Sequence, residues 1–201
     1  MEGILKLANP EEVAAVYQRD MCRAFPPAEL KPLANIQAMI QDGIYRPWCL
    51  FEGGELAGAC FLWLGHPGWG LLDYLCVAES RRNSGAGARM LAELRRVEPE
   101  MVVLGESEAP VHAPDPAMAE RRLGFYSRNG ARTAGYDTDI FGVHYKTLYW
   151  APAAVPDEVL MAEHQYIYQN RFPAKKYETY VRIPRDPAAG PFRLEPWNED
   201  D

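Results

Sequence analysis

The 201-residue sequence lacks the features that mark membrane and secreted proteins. It has no run of eighteen apolar residues, and its first residues, MEGILKLANPEE, lack the basic-then-apolar plan of a signal peptide. These absences predict a soluble, cytoplasmic protein that does not bind membranes. The length fits one domain, or one domain with an appendage, and is sufficient to bury a hydrophobic core.

Spaced clusters of metal-binding residues and an excess of basic charge are also missing. No C-x-x-C pair occurs, and apolar surroundings favour buried free thiols over disulfides or zinc for Cys22, Cys49, Cys60 and Cys76. The four histidines are equally dispersed, so the sequence predicts no metal site. The net charge of −7 argues against nucleic-acid binding and permits a cationic substrate.

Apolar spacing and turn residues predict a mixed α/β order, β-α-α-β-β-β-α-β-α-β-β, followed by an extension. An N-cap at Asn9, a stop at Gly43 and a proline at position 116 delimit helices. Strands are predicted within residues 3–8, 48–64 (a hairpin around Gly53-Gly54), 70–78, 101–109, 131–137 and 143–150. Short turns imply antiparallel pairs, whereas the strand–helix–strand unit at 70–109 implies one parallel pair. After position 156 we expect a further helix and, at KYETYVRI (176–183), a strand.

The stretch SRRNSGAGARML, residues 80–91, places arginines and bare backbone between a strand and a helix. A helix start offers unpaired N–H groups and partial positive charge, which suit a pyrophosphate. The stretch fits neither G-x-x-x-x-G-K-[ST] nor G-x-G-x-x-G. Taken alone, it is equally compatible with a structural turn.

Two motifs together resemble the GCN5-related N-acetyltransferase (GNAT) superfamily. Residues 82–88, RNSGAGA, match that family's [QR]-x-x-G-x-[GA] acetyl-CoA motif at a strand–helix junction, and residues 122–131, RLGFYSRNGA, resemble its later phenylalanine-tyrosine helix. The resemblance covers residues 3–150. AFPPAELK and the E-x-E of residues 106–108 are similar to an uncharacterised bacterial subgroup.

The resemblance implies a mixed, mostly antiparallel sheet with a central pair of splayed parallel strands, flanked by helices. It divides the chain into a catalytic domain at 1–151, an extension packed on it at 152–185 and an acidic tail at 186–201. It also implies transfer of acetyl from acetyl-CoA to a primary amine by direct attack, without a metal. The predicted acetyl-CoA-binding residues are Cys76, Val77, Ala78, Arg82, Asn83, Ser84, Gly85, Ala86, Gly87, Ala88 and Tyr126.

Tyr126 matches the family's tyrosine that protonates the departing thiolate, which a phenol can do. The base is left open among Asp73, Glu106 and Glu108, because the family's frequent strand glutamate would fall near Leu71. Each of these carboxylates could instead lie at a solvated strand end or form an ion pair with Arg121 or Arg122.

The acceptor is predicted to be a small-molecule or peptide amine, held by aromatic and acidic side chains. The residues chosen for this role are Phe25, Glu29, Trp48, Asp73 and Tyr145, from a wider set that includes Tyr45, Tyr136, Asp137, Asp139 and His144. His112 is a weaker choice, since a surface loop explains it. Two alternatives stay open: a non-catalytic acyl-CoA-binding module and a purely structural domain. The sequence does not distinguish a monomer from a homodimer.

Overall fold

The computed structural model describes residues 3–27 and 29–189. Residues 190–201, most of the predicted acidic tail, lie outside the described residues. The strands are β1 Gly3–Leu7, β2 Tyr45–Glu52, β3 Glu55–Leu64, β4 Trp69–Val77, β5 Val102–Glu108, β6 Arg132–Ile140, β7 Val143–Trp150 and β8 Val181–Arg182. The α-helices are α1 Pro10–Val16, α2 Cys22–Ala24, α3 Leu33–Gln41, α4 Ala86–Val97, α5 Pro116–Arg128, α6 Asp157–Gln169 and α7 Ala174–Tyr180.

The chain divides into two compact units, and β4 contributes to both. Of the described residues, 3–27, 29–64 and 72–99 belong to the first unit, and 65–71 and 100–189 to the second. Helices α6 and α7 and strand β8 belong to the second unit together with β5, β6 and β7. The domain boundary expected at residue 151 stays a prediction.

The first unit orders its strands β1-β2-β3-β4, with antiparallel β1–β2 and β2–β3 pairs. The predicted hairpin forms because Gly53 and Gly54 adopt φ of 61° and 84°, the left-handed conformation that a two-residue turn requires. Asn9 and Glu12 form a capping box at the start of α1. A π-helical segment, Tyr17–Met21, continues this helix, and α4 packs against the strands.

The second unit orders its strands β5-β7-β6-β8, all in antiparallel pairs. Helix α5 lies on the face that carries Trp150, whose ring contacts Tyr126. Gly105 leaves room for that face to pack, because a Cβ there would stand 2.9 Å from the Trp150 ring. Helix α6 covers the opposite face, where His164 contacts Glu106.

The predicted parallel pair is confirmed. In the second unit, the amide of Val102 donates to the carbonyl of Gly68 at 2.9 Å. Strands β4 and β5 therefore start side by side at the same end, as parallel strands joined by a helical crossover do. The mixed α/β class with a mostly antiparallel sheet is confirmed as well.

Two expectations were wrong. Most of KYETYVRI is helical, and only Val181–Arg182 is strand. Helix α7 begins after Pro173, whose carbonyl accepts hydrogen bonds from the amides of Lys176 and Tyr177. Proline suits the start of a helix and here decides against the β-favouring tyrosines. Cys22 is exposed, whereas Cys49, Cys60 and Cys76 are buried free thiols.

Within residues 3–27 and 29–189, no helix is long and apolar enough to cross a membrane. The same residues contain no group of three or more His, Cys, Asp or Glu side chains arranged to hold a metal ion.

Candidate active site

The junction between β4 and α4 presents backbone amides at a helix start. Gly85 (φ 81°) and Asn83 (φ 62°) adopt the left-handed conformation, and no side chain caps the helix. The first α-helical bond runs from the Arg89 amide to the Gly85 carbonyl, at 3.0 Å. The amides of residues 86–88 consequently have no partner within the helix. Such an arrangement suits an anion such as a pyrophosphate.

The three arginines of this junction have different surroundings. Arg89 forms an ion pair at 2.5 Å with Glu52, which is buried, and Arg81 forms one at 3.0 Å with the exposed Glu55. The exposed side chain of Arg82 makes no ion pair or hydrogen bond with any described residue. Arg82 is therefore the arginine whose charge is available to a ligand.

The end of β4 has one edge already paired. The Ala78 amide donates to the Ala57 carbonyl of β3 at 2.9 Å, so it is not open to a ligand. Because backbone groups alternate along a strand, the amide of Val77 points to the other edge. The neighbouring Cys76 is a buried thiol; burial, aided by the charge of Asp20, raises its pKa to about 12.

Asp73, on β4, forms a buried ion pair that the sequence did not predict. The ammonium of Lys31 lies 2.7 and 2.8 Å from its two carboxylate oxygens, and the hydroxyl of Tyr45 donates to the same carboxylate. The side chains of Lys31 and Asp73 are only 6% and 9% exposed. A proton on Asp73 would leave the ammonium of Lys31 buried without a counter-charge.

Tyr74 ties the segment before α3 to β4. Its hydroxyl donates to the carbonyl of Glu29 and accepts from the amide of Lys31, both at 2.8 Å. Phe25 packs edge-on against its ring, at 4.9 Å between centroids. Phe25, Glu29 and Asp73 are thus brought together around Tyr74 and Lys31, whereas Trp48 lies on the face of β2 opposite to Tyr45.

Tyr126 lies on the last turns of α5 in the second unit. Phe125 and Trp150 contact its ring edge-on, at 5.3 and 5.6 Å between centroids. The Trp150 indole donates to the carbonyl of Asn129 at 3.0 Å, which fixes the helix end. Burial raises the pKa of the Tyr126 phenol, and nearby Arg122 lowers it by a smaller amount. The phenol therefore stays protonated at neutral pH, as an acid must.

The two glutamates of β5 have different partners. Glu106 accepts from Tyr168 at 2.9 Å and lies 3.0 Å from Nε2 of His164, which is fully buried. The side chain of Glu108 is 23% exposed and lies 3.6 Å from Arg122, so Glu108 is held less tightly than Glu106. Tyr145 pairs with Glu108 across β5 and β7.

The remaining predicted side chains form contacts within the second unit. Tyr136 lies 3.2 Å from His164, and Asp139 accepts from Arg185 at 3.1 Å. Asp137 and His144 join His112 in a hydrogen-bonded chain. Sequence reasoning missed Lys31 and this hydrogen-bonded chain. Lys31 lies 42 residues from Asp73, and His144 lies 32 residues from His112 and 7 from Asp137, so no local motif marks these contacts.

Comparison with known proteins agrees with this fold. The sequence profile of the acetyltransferase (GNAT) family matches residues 11–125. The chain belongs to this family of acetyltransferases. A curated relative, "Putative acetyltransferase YjbC" of Bacillus subtilis, is 24% identical over 153 residues, covering 73% of this chain and 76% of the relative.

Solved structures share the fold at low sequence identity. A GNAT-family protein of Bacteroides thetaiotaomicron superposes with a TM-score of 0.66 at 18% identity, covering 81% of this chain and 94% of that one. The ribosomal-protein-S18-alanine N-acetyltransferase of Escherichia coli gives 0.57 at 15% identity, covering 76% and 97%. A point mutant of the spermidine N-acetyltransferase of Vibrio cholerae gives 0.57 at 8% identity, covering 84% and 98%.

Proposed function

We propose that the protein transfers acetyl from acetyl-CoA to a primary amine. The observation that carries this proposal is the start of α4, where uncapped amides and the left-handed Gly85 follow Arg82, whose side chain forms no ion pair or hydrogen bond with a described residue. This cradle suits the pyrophosphate of CoA, since amides at a helix start and an arginine both favour phosphate. The amide of Val77, on the edge of β4 not paired to β3, is suited to bind the pantetheine arm.

The transfer needs one acid and one base. The amine nitrogen forms a bond to the carbonyl carbon of the thioester, and the carbon–sulfur bond breaks. The phenol of Tyr126, protonated because burial raises its pKa, gives its proton to the departing thiolate. A base accepts the proton that the amine loses, and the phenolate is reprotonated from solvent.

The base predicted from the sequence is a carboxylate. Asp73 is held by Lys31 and Glu106 by Tyr168 and His164, so protonating either would disrupt a formed contact. Glu108 is the least restrained of the three. The contacts of Asp73 and Glu106 also favour a second candidate function, a module that binds acyl-CoA without catalysis.

Two assays separate these functions. Calorimetric titration with acetyl-CoA tests binding, and release of free thiol with an amine panel tests turnover; the panel includes spermidine and a peptide with an N-terminal alanine, after the names of two structural relatives. We expect binding and turnover with at least one amine. Binding without turnover would favour the non-catalytic module, and no binding would refute both functions.

Variants test the two assigned groups. Replacing Arg82 by Gln should weaken acetyl-CoA binding about tenfold, because a charge-assisted hydrogen bond contributes about 1.5–3 kcal/mol. The matched control Arg81→Gln removes a cation already paired with Glu55 and should have a smaller effect. Replacing Tyr126 by Phe should lower kcat about 10²-fold or more, with a smaller effect on acetyl-CoA affinity because the ring is kept. Full turnover by this variant would refute the acid role.

A further inference from the structure

Three side chains of the second unit form a continuous hydrogen-bonded chain that ends at the surface. Oδ2 of Asp137, on β6, lies 2.8 Å from Nε2 of His144, on β7. Nδ1 of His144 lies 2.7 Å from Nδ1 of His112, in the loop between β5 and α5. The His144 side chain is 8% exposed, whereas His112 is exposed.

The charge of Asp137 fixes where the protons of this chain lie. Burial acts to raise the pKa of Asp137, but hydrogen bonds from Lys146 and His144 outweigh it, and the net pKa is lowered. Asp137 is therefore a carboxylate at neutral pH and accepts the Nε2–H of His144. A neutral His144 then has its lone pair on Nδ1, so that His112 must donate from its own Nδ1.

This tautomer leaves the lone pair of His112 on Nε2, the nitrogen that the chain does not use. When Nε2 takes up a proton, the imidazolium keeps its Nδ1–H bond to His144, and Asp137 stabilises the charge at the far end. The arrangement follows the logic of a catalytic triad, in which a carboxylate orients an imidazole through its tautomer.

The backbone positions His112 at the end of β5. Its amide donates to the Ala109 carbonyl at 3.1 Å, and the Ala109 amide donates to the His144 carbonyl at 2.8 Å. These bonds hold the loop against β7, and the same loop leads into α5, which carries Tyr126. Side chains two or four positions apart on a strand share a face, so His144 and Lys146 lie on the same face of the sheet as Trp150, which is the α5 face. Asp137 lies on this face as well, because it pairs with Lys146 across β6 and β7.

We propose that His112 is the proton acceptor for the attacking amine, with His144 and Asp137 as positioning residues. The inference rests on the proposed acetyl transfer and assigns its base to an imidazole instead of a carboxylate. The proton leaves the amine nitrogen as the nitrogen–carbon bond forms, moves to Nε2 of His112 directly or through one water, and then passes to solvent.

Several charged groups lie around the two imidazoles. Asp137 accepts from Lys146 at 2.8 and 3.1 Å as well as facing His144. Asp139, the register partner of His144, is paired with Arg185. Glu108, at the end of β5, is paired with Arg122 of α5. Each of these carboxylates therefore has a cationic partner.

Kinetics on the full chain test the proposal. His112→Ala should lower kcat by about 10²-fold or more and leave the dissociation constant of acetyl-CoA unchanged. Added imidazole should restore part of the rate, which a merely structural role would not allow. Asp137→Asn should lower kcat less and shift the acid limb of the pH–rate profile. Glu108→Gln tests the rival base. His66→Gln is the matched control, because His66 pairs with Glu163 and takes no part in the hydrogen bonds among His112, His144 and Asp137.

Side-chain ¹⁵N NMR of the wild-type protein gives a readout apart from activity. Neutral His112 should carry its proton on Nδ1 and His144 on Nε2; the opposite tautomer of His112 would overturn the proposal. Two results would refute only the role of His112, provided that the wild type turns over: a His112→Ala variant with unimpaired kcat, or a loss of kcat confined to Glu108→Gln. Absence of wild-type turnover with every amine would refute the acetyl transfer and this role together.

Discussion

Lys31 and Asp73, 42 residues apart in sequence, form a two-oxygen ion pair in the first unit, with the ammonium 2.7 and 2.8 Å from the carboxylate oxygens. The ammonium also lies 4.7 Å from the centre of the Trp63 ring and 5.3 Å from that of Tyr74. Aromatic faces and a carboxylate together compensate a cation that is almost excluded from water. The pair explains how a charged residue is accommodated in the apolar strand β4.

Removing one partner of this pair should destabilise the fold strongly. Lys31→Met leaves Asp73 buried without its cation, which costs about 3–5 kcal/mol in the free energy of unfolding. The double variant Lys31→Met/Asp73→Leu should recover most of that loss, because no isolated charge is left. Urea denaturation measures both changes.

An exposed ion pair supplies the control for this experiment. Arg96 pairs with Glu93 one turn away on α4, and its side chain is 68% exposed. Arg96→Ala should change stability by no more than about 0.5 kcal/mol. A Lys31→Met loss as small as that of Arg96→Ala would contradict the structural role of the buried pair.

Gly85 and Gly43 give a matched test of the helix start. Both have positive φ, 81° and 72°, so alanine at either position should cost about 1–2 kcal/mol of stability. A Cβ at Gly85 would also stand 3.2 Å from Nη1 of Arg89, whereas a Cβ at Gly43 would meet nothing within 4 Å.

Of these two substitutions, only the one at Gly85 should weaken ligand binding. We expect Gly85→Ala to weaken acetyl-CoA binding about tenfold or more, because the substitution changes the direction of the backbone amides that would bind the pyrophosphate. A tenfold loss of affinity corresponds to about 1.4 kcal/mol. Gly43→Ala should bind acetyl-CoA as the wild type does. Equal affinities of the two variants, measured by calorimetry, would argue against a pyrophosphate at α4.

Local signals in the sequence predicted the local structure well. The Asn9 cap, the Gly53-Gly54 turn and the stop at Gly43 each act within a few residues, and all three are present. The segment KYETYVRI was misassigned because its tyrosines favour strand, while Pro173, just outside it, starts a helix. Intrinsic strand preference is weak and yields to such context.

Side-chain partners could not be predicted in the same way. The sequence places Asp73 in an apolar strand, but Lys31 becomes its partner only when α3 and β4 are in place. His112 looked like a surface loop residue, and its link to His144 and Asp137 depends on the β5–β7 and β6–β7 pairings. Contacts between distant residues follow from topology, which one sequence without its structure leaves open.

The cysteines should separate into one reactive and three protected thiols. Cys22 is exposed, and burial raises the pKa of Cys49, Cys60 and Cys76, so that few reactive thiolates form at neutral pH. Ellman's reagent should titrate one thiol in the native protein and all four in denaturant. A native Cys22→Ser variant that still reacts rapidly would contradict this assignment.

The same burial makes stability fall at alkaline pH. A thiol in the unfolded chain has its ordinary pKa of about 9.0, while burial raises the pKa of Cys76 to about 12 in the folded chain. Because the pKa is raised on folding, the stabilisation is complete below pH 9 and is lost as the pH rises above it. Each such thiol contributes a slope approaching 1.4 kcal/mol per pH unit. Urea denaturation between pH 8 and 10 should therefore give a shallower slope for Cys60→Ala than for the wild type.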